Sequence, residues 1–500
     1  MGRRTPCRSL KAQREACIVP GVHFIGIGGA GMSGLAEVLL ERGSKVSGSD
    51  LAESEKTKEL HKLGAKIFIG HNALNIPPGT DLVIYTSAIK AQKNPEFEAA
   101  EKKGIRTLRR AEFLGELTKD HKLIAVAGTH GKTTTTSMIA HILLEAGLDP
   151  FVSVGARVRE LGMKNARSGN GQLAVVEADE YDKSFFALHP FIAVLTTLEP
   201  EHLDIYKDLA ALQDAFITFT NQSAHTGELG FAIVNIDEQP LREILGRLNK
   251  RIVTFGITSL EAKYRATKIH SEGLGTECLI HRGGDAVGEL ALLIPGEHNI
   301  KNALAAIAAC EVLAIPFDIS QKALASFTGA ERRSDIVGEA NGILVIDDYA
   351  HHPTEIRATL SALRSGYPGR RIVAAFQPHT YSRTRDFAKD FGNVFAEYAD
   401  ILLLLDVYPA REQPIEGISS ERILRAAQEN GMSDCLLVGN LQDLPQAVSN
   451  IVQQHDIVVT LGAGSITEAA PKILRVIKEH GSVSEEKRIQ NRLHYSKKIA

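Results

Sequence analysis

Runs of apolar residues alternate along this chain with segments in which apolar residues recur every three to four positions. Near the N-terminus, the runs 22-VHFIGI-27 and 45-KVSGSD-50 flank the segment 31-GMSGLAEVLLER-42, and the run 81-DLVIYTSA-88 follows. Strands that alternate with amphipathic helices in this order are typical of a parallel sheet. The pattern therefore predicts an α/β domain at the N-terminal end.

The same alternation begins twice more. It restarts at 122-KLIAVAG-128, which precedes a predicted helix from Gly131 to about Ala146, and again at 343-ILVIDDYA-350. We therefore predict three consecutive α/β domains over residues 1–119, 120–328 and 329–500. The later predicted strands are 173-LAVVEAD-179, 191-FIAVLTT-197, 231-FAIVN-235, 370-RRIVAAFQP-378, 400-DILLLLDV-407 and 456-DIVVTLGAG-464, and 354-TEIRATLSAL-363 is a predicted helix.

Composition and charge narrow the classes of partner. The 57 Lys and Arg residues nearly balance the 60 Asp and Glu residues among 500, so no general basic field is available to attract nucleic acid. Apolar runs such as 401-ILLLL-405 are far shorter than the roughly 20 residues that span a bilayer. The five cysteines form no C-x-x-C pair, which fits a reducing compartment. We expect a cytoplasmic protein without nucleic-acid binding or membrane insertion, and a basic N-terminal tail outside the folded domains.

The segment 127-AGTHGKTTTT-136 joins a predicted buried strand to a predicted helix. Gly128 and Gly131 let backbone N–H groups approach phosphate oxygens, Lys132 adds a full positive charge, and the Thr133 hydroxyl can ligate Mg²⁺. Val126 stands where a strict P-loop has its first glycine, and a turn without a ligand is the alternative. The segment predicts ATP binding, with Thr129, His130 and Thr134 as its remaining candidate contacts.

A second glycine-rich turn, 26-GIGGAG-31, follows the first predicted strand, and Asp50 ends the next one. This arrangement binds a pyrophosphate at a helix N-terminus, with the acidic residue on a ribose hydroxyl. NAD and a UDP-linked sugar both present a pyrophosphate, and a tight turn without a ligand is the alternative. The candidate contacts are Gly26, Gly28, Gly29, Gly31 and Asp50. Together the two turns indicate a reaction in which ATP activates a nucleotide-borne substrate.

Charged and polar groups follow the predicted strands of the second and third domains. Glu177 ends a strand and is a candidate Mg²⁺ ligand, whereas Asp179, Glu180 and Asp182 are equally explained as solvated loop charges. His202, beside acidic residues, is either a ligand or structural. Asn299 and Asn302 begin a helix and either cap it or contact a base. Candidates in the third domain are Arg333, Asp348, Tyr349, His351, His379 and Arg383, and an arginine there would stabilise a transferring phosphoryl group.

With these motifs in order, the chain resembles the Mur ligases over nearly its whole length. The segments that carry the resemblance are HFIGIGGAGMSGLAEVL at 23–39, GTHGKTTTT at 128–136, EADE at 177–180, LEPEHLD at 198–204, GEHN at 296–299, ERR at 331–333, DDYAHHPTE at 347–355 and QPHTYSRT at 377–384. The resemblance implies a Rossmann-like N-terminal domain for a UDP-sugar, a P-loop central domain for ATP and a Rossmann-like C-terminal domain. Thr380 and Ser334 depart from residues common in the family.

The resemblance also implies residue roles and a reaction. Lys132 would hold the phosphates, Asn299 and Asn302 would contact adenine, and Arg333 and Asp348 would contact the nucleotide. Thr133, Glu177 and His202 would form the Mg²⁺ site, with Mn²⁺ as a substitute. The lactyl carboxylate of UDP-N-acetylmuramate would attack the γ-phosphate of ATP to give an acyl phosphate, which the amine of L-alanine displaces. The catalytic residues implied by the resemblance are Lys132, Glu177, His202 and Arg333.

Other functions stay open from the sequence. An NAD-dependent dehydrogenase would use the first glycine turn but leaves the second unexplained, and a regulatory ATPase would need only the second. A related ligase that adds a preformed peptide, or one that acts on folate, shares the P-loop. Arg383 is our candidate for the carboxylate of the amine substrate, with a surface ion pair as the alternative. Amino-acid selectivity and oligomeric state are not predicted.

Overall fold

The computed structural model describes residues 20–86, 89, 93–200, 205–225, 227–410 and 412–480. Three parts of the prediction lie outside these residues: the N-terminal tail, the end of the predicted strand 81–88, and His202. Within the described parts of the chain, no helix is both long enough and apolar enough to cross a membrane.

The N-terminal part forms a five-stranded parallel sheet in the order β3-β2-β1-β4-β5. The order places β1 at the centre, where all five of its residues are buried, and brings the glycine turn to the middle of the sheet edge. The strands are β1 Gly21–Ile25, β2 Lys45–Asp50, β3 Lys66–Ile69, β4 Leu82–Tyr85 and β5 Arg106–Arg109, and the helices are α1 Ala30–Glu41, α2 Glu55–Lys62, α3 Pro95–Lys102 and α4 Arg110–Thr118.

The middle part forms a ten-stranded sheet in the order β15-β14-β13-β12-β11-β10-β6-β9-β7-β8. Its strands are β6 Lys122–Ala127, β7 Phe151–Val158, β8 Lys164–Arg167, β9 Leu173–Glu177, β10 Ile192–Leu195, β11 Phe231–Asn235, β12 Arg251–Gly256, β13 Tyr264–Glu272, β14 Gly275–Arg282 and β15 Asp285–Leu292. The helices are α5 Lys132–Glu145, α6 Leu209–Asn221, α7 Gln239–Ile244, α8 Glu297–Val312 and α9 Phe317–Ala325. Strands β6 and β9 are parallel neighbours, so their carboxyl ends meet at one edge.

The C-terminal part forms a six-stranded sheet in the order β16-β17-β21-β18-β19-β20, in which only β16 is antiparallel. The strands are β16 Asp335–Ala340, β17 Ile343–Asp348, β18 Ile372–Phe376, β19 Ile401–Leu405, β20 Cys435–Gly439 and β21 Ile457–Leu461. The helices are α10 Pro353–Gly366, α11 Tyr381–Tyr398, α12 Glu421–Glu429, α13 Leu444–Ser449 and α14 Ala469–His480. The three sheets confirm the predicted fold class of α/β domains in series.

Two compact units are distinguished by their internal contacts. The first contains the described residues up to Thr267 together with Ile280–Gly288 and Lys301–Leu324, and the second contains Lys268–Leu279, Glu289–Ile300 and the described residues from Ala325 onward. The domain limits near 119 and 328 stay a prediction.

Each unit has its own apolar core. In the first, one continuous cluster extends from Phe24 and Phe113 to Phe185 and Phe216, and Phe185 also stacks on Phe219 with 4.8 Å between ring centroids. In the second, one cluster lies on each face of the six-stranded sheet. The packing of Phe185 anchors the 3-10 helix Tyr181–Ala187, which directly follows the acidic segment after β9.

Candidate active site

The turn between β6 and α5 has a backbone path that requires glycine. Gly128 has a φ of +147° and Gly131 a φ of +81°, in the region that side-chain-bearing residues rarely adopt. A β-carbon on Gly128 would lie 2.1 Å from Thr196 Oγ1, and one on Gly131 would lie 2.5 Å from Asn302 Oδ1. The turn can therefore pass close to its neighbours only because both residues lack a side chain.

Lys132, the first residue of α5, points into this turn. Its Nζ lies 3.0 Å from both carboxylate oxygens of Glu180 and donates to the Gly128 carbonyl over 2.6 Å. Burial opposes a charged lysine, but Glu180, Asp179 and Glu177 outweigh it and raise the pKa of Lys132 above its ordinary value. A permanent positive charge is thus held at the mouth of the turn.

Glu180 is a buried partner of Lys132 that the sequence analysis did not assign to the site. The expectation of a solvated loop charge is wrong for it, because Glu180 is 1% exposed and is paired with Lys132. The hydroxyl of Tyr206 also donates to the Glu180 carbonyl over 2.7 Å. The only signal in the sequence was its place in the EADE segment next to Glu177.

Two oxygen ligands suited to a hard cation meet beside the lysine. The Thr133 hydroxyl donates to Glu177 Oε2 over 3.0 Å, and the Gly155 N–H donates to the same oxygen over 2.7 Å. Carboxylate and hydroxyl oxygens are the ligands that Mg²⁺ prefers. These two predicted ligands fit a magnesium site, whereas His202, the third, lies outside the described residues.

The turn between β6 and α5 is called here the phosphate turn, after its predicted ligand, and its other predicted residues connect it to the segment after β10. The His130 N–H donates to Thr197 Oγ1 over 2.7 Å, and Thr129 Oγ1 accepts from the Glu199 N–H over 3.0 Å. Thr134 is buried in the first turn of α5. This segment therefore braces the turn from a neighbouring strand.

The two asparagines of α8 lie in different surroundings. Asn302 is buried, and its Oδ1 accepts from the Thr135 hydroxyl over 3.2 Å beside Gly131. Asn299 donates from Nδ2 to the Pro295 carbonyl over 2.7 Å. Asn302 is thus part of the wall of the phosphate turn, and the predicted adenine contacts of both residues stay a prediction.

The N-terminal glycine turn is braced by Asp50. Asp50 Oδ2 accepts from the Gly28 N–H over 2.8 Å, and Gly29 is the N-cap of α1 without a capping side chain. Gly26 has a φ of +84°. A β-carbon on Gly31 would lie 2.9 Å from Nη1 of Arg110, a residue that sequence analysis did not single out. The five predicted residues therefore lie together at the centre of the sheet edge, and their contact with a substrate stays a prediction.

In the second unit, Asp348 at the end of β17 organises the loop that carries Arg333. Asp348 accepts from the Ser334 N–H and the Ala350 N–H, both over 2.7 Å. Burial raises the pKa of Asp348, and the nearby Arg333 guanidinium opposes this shift. Arg333 lies over the ring of Tyr349, 5.4 Å from its centroid. Ser334, where the family commonly has an aromatic residue, here ties its own loop to Asp348.

The remaining predicted residues of this unit form a cluster of rings and one guanidinium. The ring of His351 lies 5.2 Å from that of Tyr349 and 5.7 Å from that of His379, centroid to centroid. Arg383 donates to the His379 carbonyl over 2.9 Å. Burial, with His351 and Arg383 nearby, lowers the pKa of His379 to about 4. The cluster therefore presents a neutral imidazole beside a permanent cation.

Three family models match successive parts of the chain. They are the Mur ligase family catalytic domain over residues 21–122, the Mur ligase middle domain over 126–310 and the Mur ligase glutamate ligase domain over 332–464. The matched segments contain all the predicted site residues.

Curated relatives and solved structures give the same result. The chain is 45% identical to the UDP-N-acetylmuramate-L-alanine ligase of Trichlorobacter lovleyi, over 91% of this chain and 98% of that protein. It is 46% identical to the enzyme of that name from Geobacter sulfurreducens, over 92% and 98%. The crystal structure of UDP-N-acetylmuramate-alanine ligase from Thermotoga maritima superposes with a TM-score of 0.78 at 29% identity, over 92% of this chain and 99% of that one. A murein peptide ligase from Psychrobacter arcticus gives 0.67 at 25% identity, over 93% and 99%. On the family models and the near-complete relatives together, the chain belongs to the Mur ligase family.

Proposed function

We propose that this chain joins L-alanine to the lactyl carboxylate of UDP-N-acetylmuramate at the expense of ATP, in the synthesis of the peptidoglycan precursor. The observation that carries the proposal is the meeting of Lys132, Thr133 and Glu177 at the carboxyl edge of β6 and β9. A dehydrogenase has no use for this arrangement, whereas a ligase that activates a carboxylate with ATP requires it. The names of the near-complete relatives supply the two substrates.

The chemistry joins two anions, and the chain must offset their repulsion. A carboxylate oxygen attacks the γ-phosphorus of ATP, the bond to the β-γ bridging oxygen breaks, and an acyl phosphate and ADP result. Mg²⁺, when bound by Thr133 and Glu177, supplies further positive charge at the phosphates. Lys132 contributes a full charge, and the N-terminus of α5, which Gly131 caps without a side chain, offers backbone N–H groups to phosphate oxygens.

The second half-reaction needs an uncharged amine held in place. The amine nitrogen of L-alanine attacks the acyl carbon, the bond between that carbon and the phosphate oxygen breaks, and the amide is released with inorganic phosphate, which carries away the proton lost by the amine. We assign the carboxylate of L-alanine to Arg383, because a guanidinium binds a carboxylate through two parallel N–H bonds. His379, neutral at pH 7, adds no positive charge beside the amino group of L-alanine and does not compete for its carboxylate. Arg333 and Asp348 are assigned to the nucleotide, as the family resemblance implies.

A single incubation tests the proposal. The full chain is mixed with UDP-N-acetylmuramate, ATP and Mg²⁺, and phosphate release and product mass are measured with L-alanine, glycine, L-serine or a preformed peptide that begins with L-alanine. We expect turnover only with all components present and the highest kcat/KM with L-alanine. Preference for the preformed peptide would instead indicate the recycling activity, and NAD reduction without ATP would indicate a dehydrogenase. We expect Mn²⁺ to substitute for Mg²⁺.

We place this reaction in the cytoplasm, where ATP is available. The free, buried thiols of Cys278, Cys310 and Cys435 support a reducing compartment.

A further inference from the structure

Arg110 lies against the glycine turn of the N-terminal sheet. It is the first residue of α4, directly after β5, and its side chain crosses the first turn of α1. A β-carbon placed on Gly31 would lie 2.9 Å from Arg110 Nη1 and 3.1 Å from its Cδ. Gly31 thus leaves room for a guanidinium where any larger residue would displace it.

The neighbouring arginines have acidic partners, and Arg110 does not. Arg106 pairs with Glu116, and Arg109 lies 3.6 Å from Asp182. The nearest acid along the chain, Glu112, accepts from the Arg109 backbone N–H over 2.7 Å. Among the residues that the structure describes, the side chain of Arg110 forms neither an ion pair nor a hydrogen bond.

The position of this charge is unfavourable in the absence of an anion. The N-terminus of a helix carries partial positive charge, and the first turn of α1 has no acidic residue and no capping side chain to offset it. Arg110 adds a half-buried positive charge at the same place. Both charges would be neutralised by one anionic group bound beside Gly31.

On the other side of the turn, at Gly28, the backbone donor already has a hydrogen-bond acceptor within the chain. The Gly28 N–H donates to Asp50 Oδ2 over 2.8 Å, and Asp50 Oδ1 accepts from the Leu51 N–H over 2.8 Å. The carboxylate would repel a phosphate placed beside Gly28. The electrostatics of the turn therefore favour an anion on the Gly31 side and disfavour one on the Asp50 side.

We propose that Arg110 is a substrate-binding residue whose guanidinium holds the diphosphate of the nucleotide sugar on the Gly31 side of the glycine turn. The inference rests on the proposed function in that the diphosphate belongs to UDP-N-acetylmuramate. It adds a cation to a site for which the motif supplies only backbone groups. It also assigns the diphosphate to a different side of the turn from Asp50.

Binding of UDP and of uridine to the full chain, measured by calorimetry without ATP, tests the assignment. Arg110→Ala should weaken UDP binding by about 10- to 100-fold, the size expected for loss of a charge-assisted contact, and leave uridine binding within about twofold. Arg110→Gln, which keeps the aliphatic packing over Gly31, should show the same pattern, and Arg110→Lys should keep part of the affinity. Arg109→Ala is the matched control and should bind UDP as the unaltered chain does.

The other outcomes distinguish failure of the Arg110 assignment from failure of the proposed function. If both Arg110→Ala and Arg110→Gln bind UDP as tightly as the unaltered chain, or lose UDP and uridine affinity equally, the assignment is overturned and the proposed function stands. If the unaltered chain binds neither UDP nor UDP-N-acetylmuramate, the proposed function and the assignment fail together. Thermal unfolding of each variant shows whether a loss of affinity reflects a loss of fold.

Discussion

The ammonium of Lys132 lies 3.0 Å from both carboxylate oxygens of Glu180, in a pair that is nearly closed to solvent. The lysine that would hold the phosphates is therefore already neutralised within the chain. When one partner of a buried pair is removed, the other charge stays buried without compensation, which is strongly destabilising. A substitution at Lys132 is therefore expected to change the stability of the first unit as well as the activity.

Lys132→Ala should abolish ligation and also lower the stability of the first unit by about 3 kcal/mol, because Glu180 loses its counter-ion. Binding of UDP-N-acetylmuramate should be nearly unchanged, since the glycine turn belongs to another sheet. The double variant Lys132→Ala/Glu180→Gln should recover much of the stability but none of the activity. Calorimetry and thermal unfolding measure the two effects separately, and an equal loss of UDP-sugar affinity would contradict the assignment of separate sites.

Gly28→Val should raise the KM for UDP-N-acetylmuramate far more than the KM for ATP. A β-carbon at this position would lie 2.8 Å from Asp50 Oδ2 and 3.2 Å from Thr57 Cγ2, so the turn must shift to accept it. Steady-state kinetics with each substrate varied in turn provide the measurement. If the two KM values rise together, the effect is a general loss of fold and not a change in the sugar-nucleotide site.

Glu177→Gln should shift the Mg²⁺ dependence of activity to higher concentration, because the amide keeps the contact with Gly155 or Thr133 but lacks the negative charge that attracts the ion. Activity of the unaltered chain should need millimolar Mg²⁺ or Mn²⁺ and disappear with EDTA. Asp182→Asn is a suitable control, since the exposed carboxylate of Asp182 pairs with Arg109 and not with Lys132, Thr133 or Glu177. An unchanged Mg²⁺ titration for Glu177→Gln would exclude this residue from the metal site.

Arg383→Ala should raise the KM for L-alanine by about one to two orders of magnitude, as expected for a charge-assisted contact, with little change in the KM for ATP. The matched control is Arg385→Ala, because Arg385 forms an exposed pair with the adjacent Asp386 and should have little effect. A rise in the KM for ATP instead would place Arg383 at the phosphates.

Stability of the second unit should fall on acidification between pH 6.5 and pH 4. The pKa of His379 is lowered to about 4, so in this interval the unfolded chain binds a proton that the folded chain excludes, and unfolding is favoured as the pH falls. The contribution is about 3 kcal/mol. His379→Gln should flatten the dependence of the unfolding free energy on pH in this window, and an unchanged slope would show that His379 titrates normally.

Many of the parallel strands and the two glycine turns could be predicted because their signals are local. Strands β1, β6 and β17 are short apolar runs, and the structure places their ends within a few residues of the prediction. Strands β13 to β15 were missed, because a segment such as 264-YRATKIHSE-272 carries many polar residues and alternates between half-buried and exposed positions beyond Ala266. Their strand structure depends on pairing with neighbours in the sheet more than on an apolar run.

Some site residues depend on contacts that no local pattern reveals. Glu180 is buried because Lys132, 48 positions earlier, folds against it. Arg110 lies beside Gly31 because β4 and β5 follow β1 in the order of the sheet. In each case the motif predicted the path of the backbone and one charged residue, which is Lys132 in the first turn and Asp50 in the second. The tertiary structure adds a second charged residue, Glu180 or Arg110.

The position of Glu177 at the end of β9 has a consequence for how this region can vary. Its partner in the ladder is Val126, and successive residues of a strand point to opposite faces, so removal of one residue between Leu173 and Val176 would turn the carboxylate away from Thr133 while the ladder could still form. The preceding loop, residues 168–172, lies outside that register. In a library of insertions and deletions, we expect β9 to accept exchanges among apolar residues but no change of length, so the number of residues in the strand is constrained more tightly than their identity.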